Sequence, residues 1–198
     1  MYILCGKRLF DIFATLIGFI FLLPIFFIII IWIKFSSEGP LFFTQKRVGK
    51  RFIEFNLYKF RTMIVNANTQ GPSVTREDDS RITKIGKLLR RTKIDELPQL
   101  LNVLKGDMSL VGPRPEVMKF VNMKQEEYRK ILSVQPGITD NAAISFRNEE
   151  KMLQSYKDVE KAYVDIILPE KIKLYHNYID NISFSSDIKL ILKTIKSI

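Results

Sequence analysis

Polarity changes character several times along this chain. Ile12 to Ile33 is an unbroken run of 22 residues without a charged side chain. That is long enough for one helical bilayer crossing, at about 20 residues each. Gly39-Pro40 ends the run with a turn signal. Leu41 to Gln45 and Phe52 to Leu57 are short apolar and aromatic stretches that predict strands, with Arg47 to Arg51 as a basic turn between them. Asn66 to Ser80 is polar, contains Gly71-Pro72 and predicts an exposed loop. Ile82, Ile85, Leu88 and Leu89 then recur at helical spacing up to Arg91, with cations on the opposite face. Helices are further predicted over Leu97–Leu104, Glu116–Leu132 and Glu149–Leu168, and from Pro169 through Tyr178. At the end, Ile188, Ile191, Leu192, Ile195 and Ile198 form a stripe beside Lys189, Lys193 and Lys196. A basic amphipathic helix of this kind suits an anionic membrane surface. Packing on the protein's own core is the equal alternative. Ser186 or Asp187 can cap it.

The apolar run carries its own complication. Pro24 sits at its middle, where it removes a helix hydrogen bond. Both flanks are basic, with Lys7 and Arg8 before it and Lys34, Lys46, Arg47, Lys50 and Arg51 after it. Positive flanks tend to stay on the cytoplasmic side. A re-entrant hairpin bent at Pro24 satisfies both observations, and a simple kinked crossing satisfies the first. A cleavable signal peptide is disfavoured by the length of the run and the lack of a small-residue cleavage site. Asp11, at the mouth of the run, is expected to pair with Lys7 or Arg8 or to cap the helix.

Composition narrows the chemistry. The 198 residues carry a formal net charge of +10, which favours an anionic partner such as nucleic acid, anionic lipid or a phosphorylated substrate. One cysteine, Cys5, permits no intrachain disulfide, and one histidine, His176, disfavours paired-histidine zinc sites and serine triads. Carboxylates and cations are left to carry any catalysis.

One run concentrates both. Between Arg90 and Pro115 the sequence is RRTKIDELPQLLNVLKGDMSLVGPRP. Asp95-Glu96 stands before a helix-compatible segment that Pro98 can open and Gly106 can close. Lys84, Lys87, Arg90, Arg91 and Lys93 precede it, and Arg114 sits between two prolines. Asp95 reads either as an N-cap or as a nucleophile. An aspartate can attack a phosphoryl group to form an acyl phosphate, given cations to neutralise the transferring group. Glu96 is the natural second carboxylate for Mg²⁺. Arg90, Arg114 and Arg147 are the candidate phosphate clamps, because a guanidinium fork matches phosphate geometry. Lys59 and Arg61 are weaker candidates.

These residues resemble a known family, the small monotopic phosphoglycosyl transferases of the bacterial sugar transferase family. The resemblance rests on LFDI near the start, PLFFTQKRVG at 40–49, YKFRTM at 58–63, IGKLLRRTKIDELPQLLNVLKGDMSLVGPRP at 85–115 and QPGIT at 135–139. It implies an α/β fold in a loose sense, mostly helical with a few short strands. It implies a re-entrant membrane hairpin over 1–36 bent at Pro24, a cytoplasmic catalytic domain over 37–183 and an interfacial helix over 184–198. The implied reaction has two steps. Asp95, with Glu96 as its dyad partner, attacks the sugar-proximal phosphate of a UDP-sugar and UMP leaves. A polyprenol phosphate, typically undecaprenyl phosphate, then takes the sugar phosphate from Asp95. Mg²⁺ is the implied cofactor, held at Glu96 and Asp95. The implied place is one leaflet of a bacterial cytoplasmic membrane, with the catalytic domain facing the cytoplasm. No nucleic-acid partner is implied, since the cations form no nucleic-acid motif, and a homodimer is left open.

The chain departs from the family pattern twice. Leu23 replaces the serine common before the hairpin proline. Asp140-Asn141-Ala142-Ala143 replaces the common Gly-Leu-Ala-Gln after Thr139, with Arg147 downstream read as the phosphate-binding arginine of that region.

Overall fold

The computed structural model describes residues 2, 6–36, 38–67, 74–75 and 78–197. Cys5, Gly71-Pro72 with most of the predicted loop, and Ile198 of the C-terminal stripe lie outside the described residues. Helices dominate and strands are few and short, as the patterning predicts.

Helix α1, Lys7–Ser36, takes up the whole apolar run and continues through Pro24. It is long and apolar enough to cross a membrane. One face packs inward, where Phe26, Ile29 and Ile33 meet Phe60 and Leu89. The other face is bare, with Phe21, Phe27 and Phe35 exposed by 77%, 69% and 86%. An apolar surface of this extent calls for lipid or a partner to cover it. The base of α1 is fastened by polar groups. Arg8 donates to the carbonyls of Val103 and Leu104 at 2.5 and 2.9 Å. Asp11 accepts from the Leu110 amide at 3.1 Å, so it neither pairs with Arg8 nor caps α1. Lys7 is taken instead by the buried Asp187 at 2.5 Å, which also accepts from Tyr2 and Tyr178.

Strands β1, Phe42–Val48, and β2, Glu54–Phe60, form an antiparallel hairpin with Phe42 opposite Phe60 and Val48 opposite Glu54. Helix α2, Lys84–Arg91, is capped by the Thr83 hydroxyl, which accepts from the Gly86 amide. Lys93, in the left-handed region at φ 57°, turns the chain into a short 3-10 segment, Ile94–Glu96. Helix α3, Gln99–Lys105, follows, and Gly106 ends it at φ 92°, where a side chain would be strained. The cap position of α3 falls on Pro98, not on Asp95.

Strand β3, Ser109–Val111, pairs in parallel with β4, Gly137–Thr139. The predicted helix over 116–132 is two pieces, α4 (Met118–Met123) and α5 (Gln125–Ile131), broken where Lys124 leaves helical geometry at φ −133° and ψ 40°. Asp140 caps α6, Asn141–Ser145. The predicted helix over 149–168 is also divided, into α7 (Glu149–Leu153) and α8 (Val159–Ala162). A wide turn over Tyr163–Ile167 then carries the chain into α9, Leu168–Asp180. Helix α10, Phe184–Ser197, is capped by Ser183, whose hydroxyl accepts from the Ser186 amide, while the expected Ser186 hydroxyl accepts in return from the Ser183 amide and the Asp187 carboxylate is taken by Lys7, Tyr2 and Tyr178. The largest core cluster lies among α4 to α9, around Phe120, Tyr128, Leu153, Leu168 and Tyr175. Leu190 of α10 packs with Val111 and Tyr178, while Leu192 and Ile195 stay exposed. The C-terminal helix therefore packs one face on the core, as one of the two expectations has it, and leaves the opposite apolar face exposed.

Candidate active site

Asp95 and Glu96 sit on the short turn between α2 and α3, where the left-handed Lys93 points them into a cavity of about 580 Å³. The cavity brings together every site residue expected from the sequence: Lys59, Arg61, Arg90, Asp95, Glu96, Arg114 and Arg147 all line it. Its wall nearest α1 is apolar, with Phe42, Phe60 and Leu97.

The two carboxylates differ in their partners. Glu96 accepts from both arms of Arg114, Nη1 reaching Oε2 at 2.9 Å and Nη2 reaching Oε1. Lys59 Nζ donates to the same Oε1 at 2.9 Å. Burial alone would raise the Glu96 carboxyl, but Arg114 and Lys59 outweigh it and hold Glu96 well below the usual carboxylate range. Asp95 is 6% exposed, and its Oδ1 has no hydrogen-bond partner among the described residues. Burial pushes its carboxyl up to about 6, with Glu96 adding to the push and Lys59, Arg90 and Lys93 opposing it. A buried polar atom without a partner costs stability, and this one belongs to a residue that lines the cavity, where a bound group can reach it. Asp95 is not a helix N-cap, since Lys93 takes that position for the segment Ile94–Glu96 and Pro98 takes it for α3.

The remaining cations are positioned by neighbours. Arg90 extends from the last turn of α2, its Nε donating to Thr62 Oγ1 at 2.9 Å and Nη1 to Glu150 at 2.9 Å. Arg61 is buried at the end of β2 and donates to the Glu38 carbonyl, which braces the exit of α1. Arg147, beyond α6, lines this cavity and an adjoining hollow that also holds Lys87, Arg91 and Lys151. Arg91 thus faces the neighbouring hollow and not the acid pair.

Two contributors lie outside the site residues expected from the sequence. Asp140 lies behind Arg114 and is buried. Lys171 of α9 is buried against Glu149 and over the ring of Tyr163 at 5.0 Å. Both belong to elements whose packing, and not their composition, brings them to the site.

The donor set bears on the metal. Among the described residues no group of three or more His, Cys, Asp or Glu could cage a cation. Asp95 and Glu96 instead offer two adjacent carboxylates, one oxygen of which is unpaired. That arrangement fits Mg²⁺, which takes one or two protein carboxylates and completes its shell with phosphate oxygens and water.

Comparison with known proteins agrees with the site. A family model described as bacterial sugar transferase matches residues 2–198. The chain is 38% identical over 199 residues to a UDP-N-acetylgalactosamine–undecaprenyl-phosphate N-acetylgalactosaminephosphotransferase of Aeromonas hydrophila, covering 97% of this chain and 43% of that protein. It is 39% identical over 196 residues to an uncharacterised sugar transferase of Bacillus subtilis, covering 97% and 86%. It is 37% identical over 197 residues to an undecaprenyl-phosphate glucose phosphotransferase of Komagataeibacter xylinus, covering 96% and 35%. The chain therefore spans less than half the length of two of these three relatives.

Proposed function

The chain belongs to the bacterial sugar transferase family, and on that premise we propose that it transfers a sugar 1-phosphate from a UDP-sugar to a polyprenol phosphate through a covalent intermediate on Asp95. The observation that carries the reading is the unpartnered, buried Asp95 oxygen, facing a cavity that gathers five guanidinium groups and three ammonium groups.

In the first step an Asp95 carboxylate oxygen bonds to the sugar-proximal phosphorus. The phosphoanhydride bond breaks and UMP leaves with the electron pair. In the second step an oxygen of the polyprenol phosphate bonds to the same phosphorus, and the Asp95 carboxylate departs unchanged. Both steps put developing negative charge on phosphate oxygens, which fixed cations stabilise. Arg114 and Lys59 already stand at the acid pair, and Arg90 and Arg147 line the same cavity. Asp95 and Glu96 would hold Mg²⁺, which when bound supplies further neutralisation of the diphosphate.

The membrane side of the reading rests on α1. Its base is fastened at Val103, Leu104 and Leu110, and its far part packs on Phe60 and Leu89 of the same body. A straight 30-residue helix is about 45 Å long, more than a bilayer core. One body touching both parts of the helix favours entry and return on one face, bent at Pro24, with residues 37–183 and the helix over 184–198 on the cytoplasmic side. The lipid acceptor then reaches the cavity past its apolar wall at Phe42 and Phe60.

Intact mass measurement tests the reading. Purified protein with Mg²⁺ and a panel of UDP-sugars, without acceptor, should gain one phosphosugar on Asp95. UMP release with undecaprenyl phosphate should follow the same donor. Absence of both, with every donor and a folded protein, would reject the enzyme.

A further inference from the structure

Arg114 stands between Pro113 and Pro115, neither of which has a backbone N–H. Its own amide is therefore the single main-chain donor of that three-residue turn. That donor goes to Asp140 Oδ2 at 3.0 Å. The other oxygen of Asp140 accepts from the Ala143 amide at 2.6 Å, at the start of α6. One buried carboxylate thus joins the turn that presents Arg114 to the helix on the far side of β4. The rest of the turn is fixed by backbone alone: the Gly112 amide donates to the Thr139 carbonyl at 3.0 Å and the Gly137 amide to the Pro113 carbonyl at 2.9 Å. The two glycines approach so closely that a Cβ on Gly137 would lie 2.0 Å from the Gly112 nitrogen. On one side of this turn is Asp140. On the other the guanidinium reaches both oxygens of Glu96.

We propose that Asp140 is a positioning residue for Arg114, fixing the turn so that the guanidinium meets Glu96 and leaves Asp95 free to react. The inference rests on the reading of Asp95 as the nucleophile. It concerns a segment, Asp140 to Ala143, at which the chain departs from the family pattern. The charge is suited to the task. Asp140 is 1% exposed, and Arg114 and Lys171 are the cations that face it, with the Tyr175 ring beside them. A carboxylate accepts from two amides at once, whereas a hydroxyl or carboxamide oxygen in its place serves one of them well.

Asp140→Ser separates positioning from capping. Serine is a good N-cap and keeps the Ala143 amide satisfied, but its single oxygen is too short to hold the Arg114 amide as well. The expected result is a melting temperature within a few degrees of wild type. The Arg114 amide, followed by NMR in protein labelled with [15N]arginine, should exchange faster. Displacement of a positioning group costs up to about 100-fold in rate, so kcat for UMP release should fall by at least about tenfold while the donor KM stays within about threefold. A lower melting temperature with wild-type Arg114 exchange and wild-type kcat would overturn the proposal and leave Asp140 a helix cap. Should Asp140→Ser not fold, Asp140→Asn decides by the same readouts, with wild-type values in both overturning the proposal. If the wild-type protein releases no UMP, the reading of Asp95 falls, while the Arg114 exchange rate still tests the link.

Discussion

A carboxylate that attacks phosphorus at neutral pH has to be ionised and yet poorly solvated. Asp95 meets both demands, since burial lifts its carboxyl only to about 6. Activity should therefore rise as pH passes through about 6, and pH–rate profiles of UMP release measure it. The stability consequence has the opposite sense. A carboxyl raised above its unfolded value of about 3.9 favours the fold below that value and ceases to do so as pH rises through about 6. Asp95→Asn should abolish the adduct and the product, and should raise the melting temperature more at pH 7.5 than at pH 4.5. An active variant would remove Asp95 as nucleophile. Glu96 behaves otherwise, because it is the counter-ion of Arg114 and Lys59. Glu96→Gln takes from Arg114 its carboxylate partner and leaves Lys59 with Asp95 as its remaining anion, a loss smaller than the about 3 kcal/mol of a fully buried pair. The variant should melt lower and require more Mg²⁺ for half-maximal activity, and an unchanged Mg²⁺ titration would reject Glu96 as a ligand. At this scale the sequence was legible where chemistry is local. Asp95, Glu96 and Arg114 announce themselves through neighbouring charges and prolines. Asp140 does not, because its importance comes from a partner 26 positions away.

Elements were legible in proportion to their length. The apolar run gave α1, and the spacing of Ile85, Leu88 and Leu89 gave α2, each nearly to its ends. Three-residue strands such as β3 and β4 offer no period to detect and exist because Ser109 and Val111 find Gly137 and Thr139. The helix predicted across 149–168 breaks after Leu153, and nothing in its apolar spacing marks the loop that follows. The bend expected at Pro24 has a direct test. In a Cys5→Ser background, single cysteines at Leu9 and Phe35, both exposed, should react with an impermeant maleimide from the cytoplasmic face alone. Labelling of one from each face would establish a crossing instead.

Across the whole molecule, the two outermost helices meet at one buried carboxylate. Asp187 of α10 accepts from Lys7 at the base of α1, from Tyr2 before it and from Tyr178 of α9. Lys7→Met should lower the melting temperature by the equivalent of about 3 kcal/mol, because it strands a buried charge. The measurement is thermal unfolding at pH 7.5, and a change within error would show that the tyrosine hydroxyls suffice. Basic residues and amphipathic spacing suggested two separate membrane contacts, but nothing in the sequence indicated that they share an anchor.

The packing of Phe26, Ile29 and Ile33 onto Phe60 and Leu89 has a mechanical consequence. An unattached helix answers a thicker or thinner bilayer by tilting. A helix glued along one face to the body that carries Asp95 cannot tilt without taking that body with it. On the proposed reading, the height of the Asp95 carboxylate relative to the lipid headgroups is then set by the protein's own interior, and the helix would work as a built-in depth gauge.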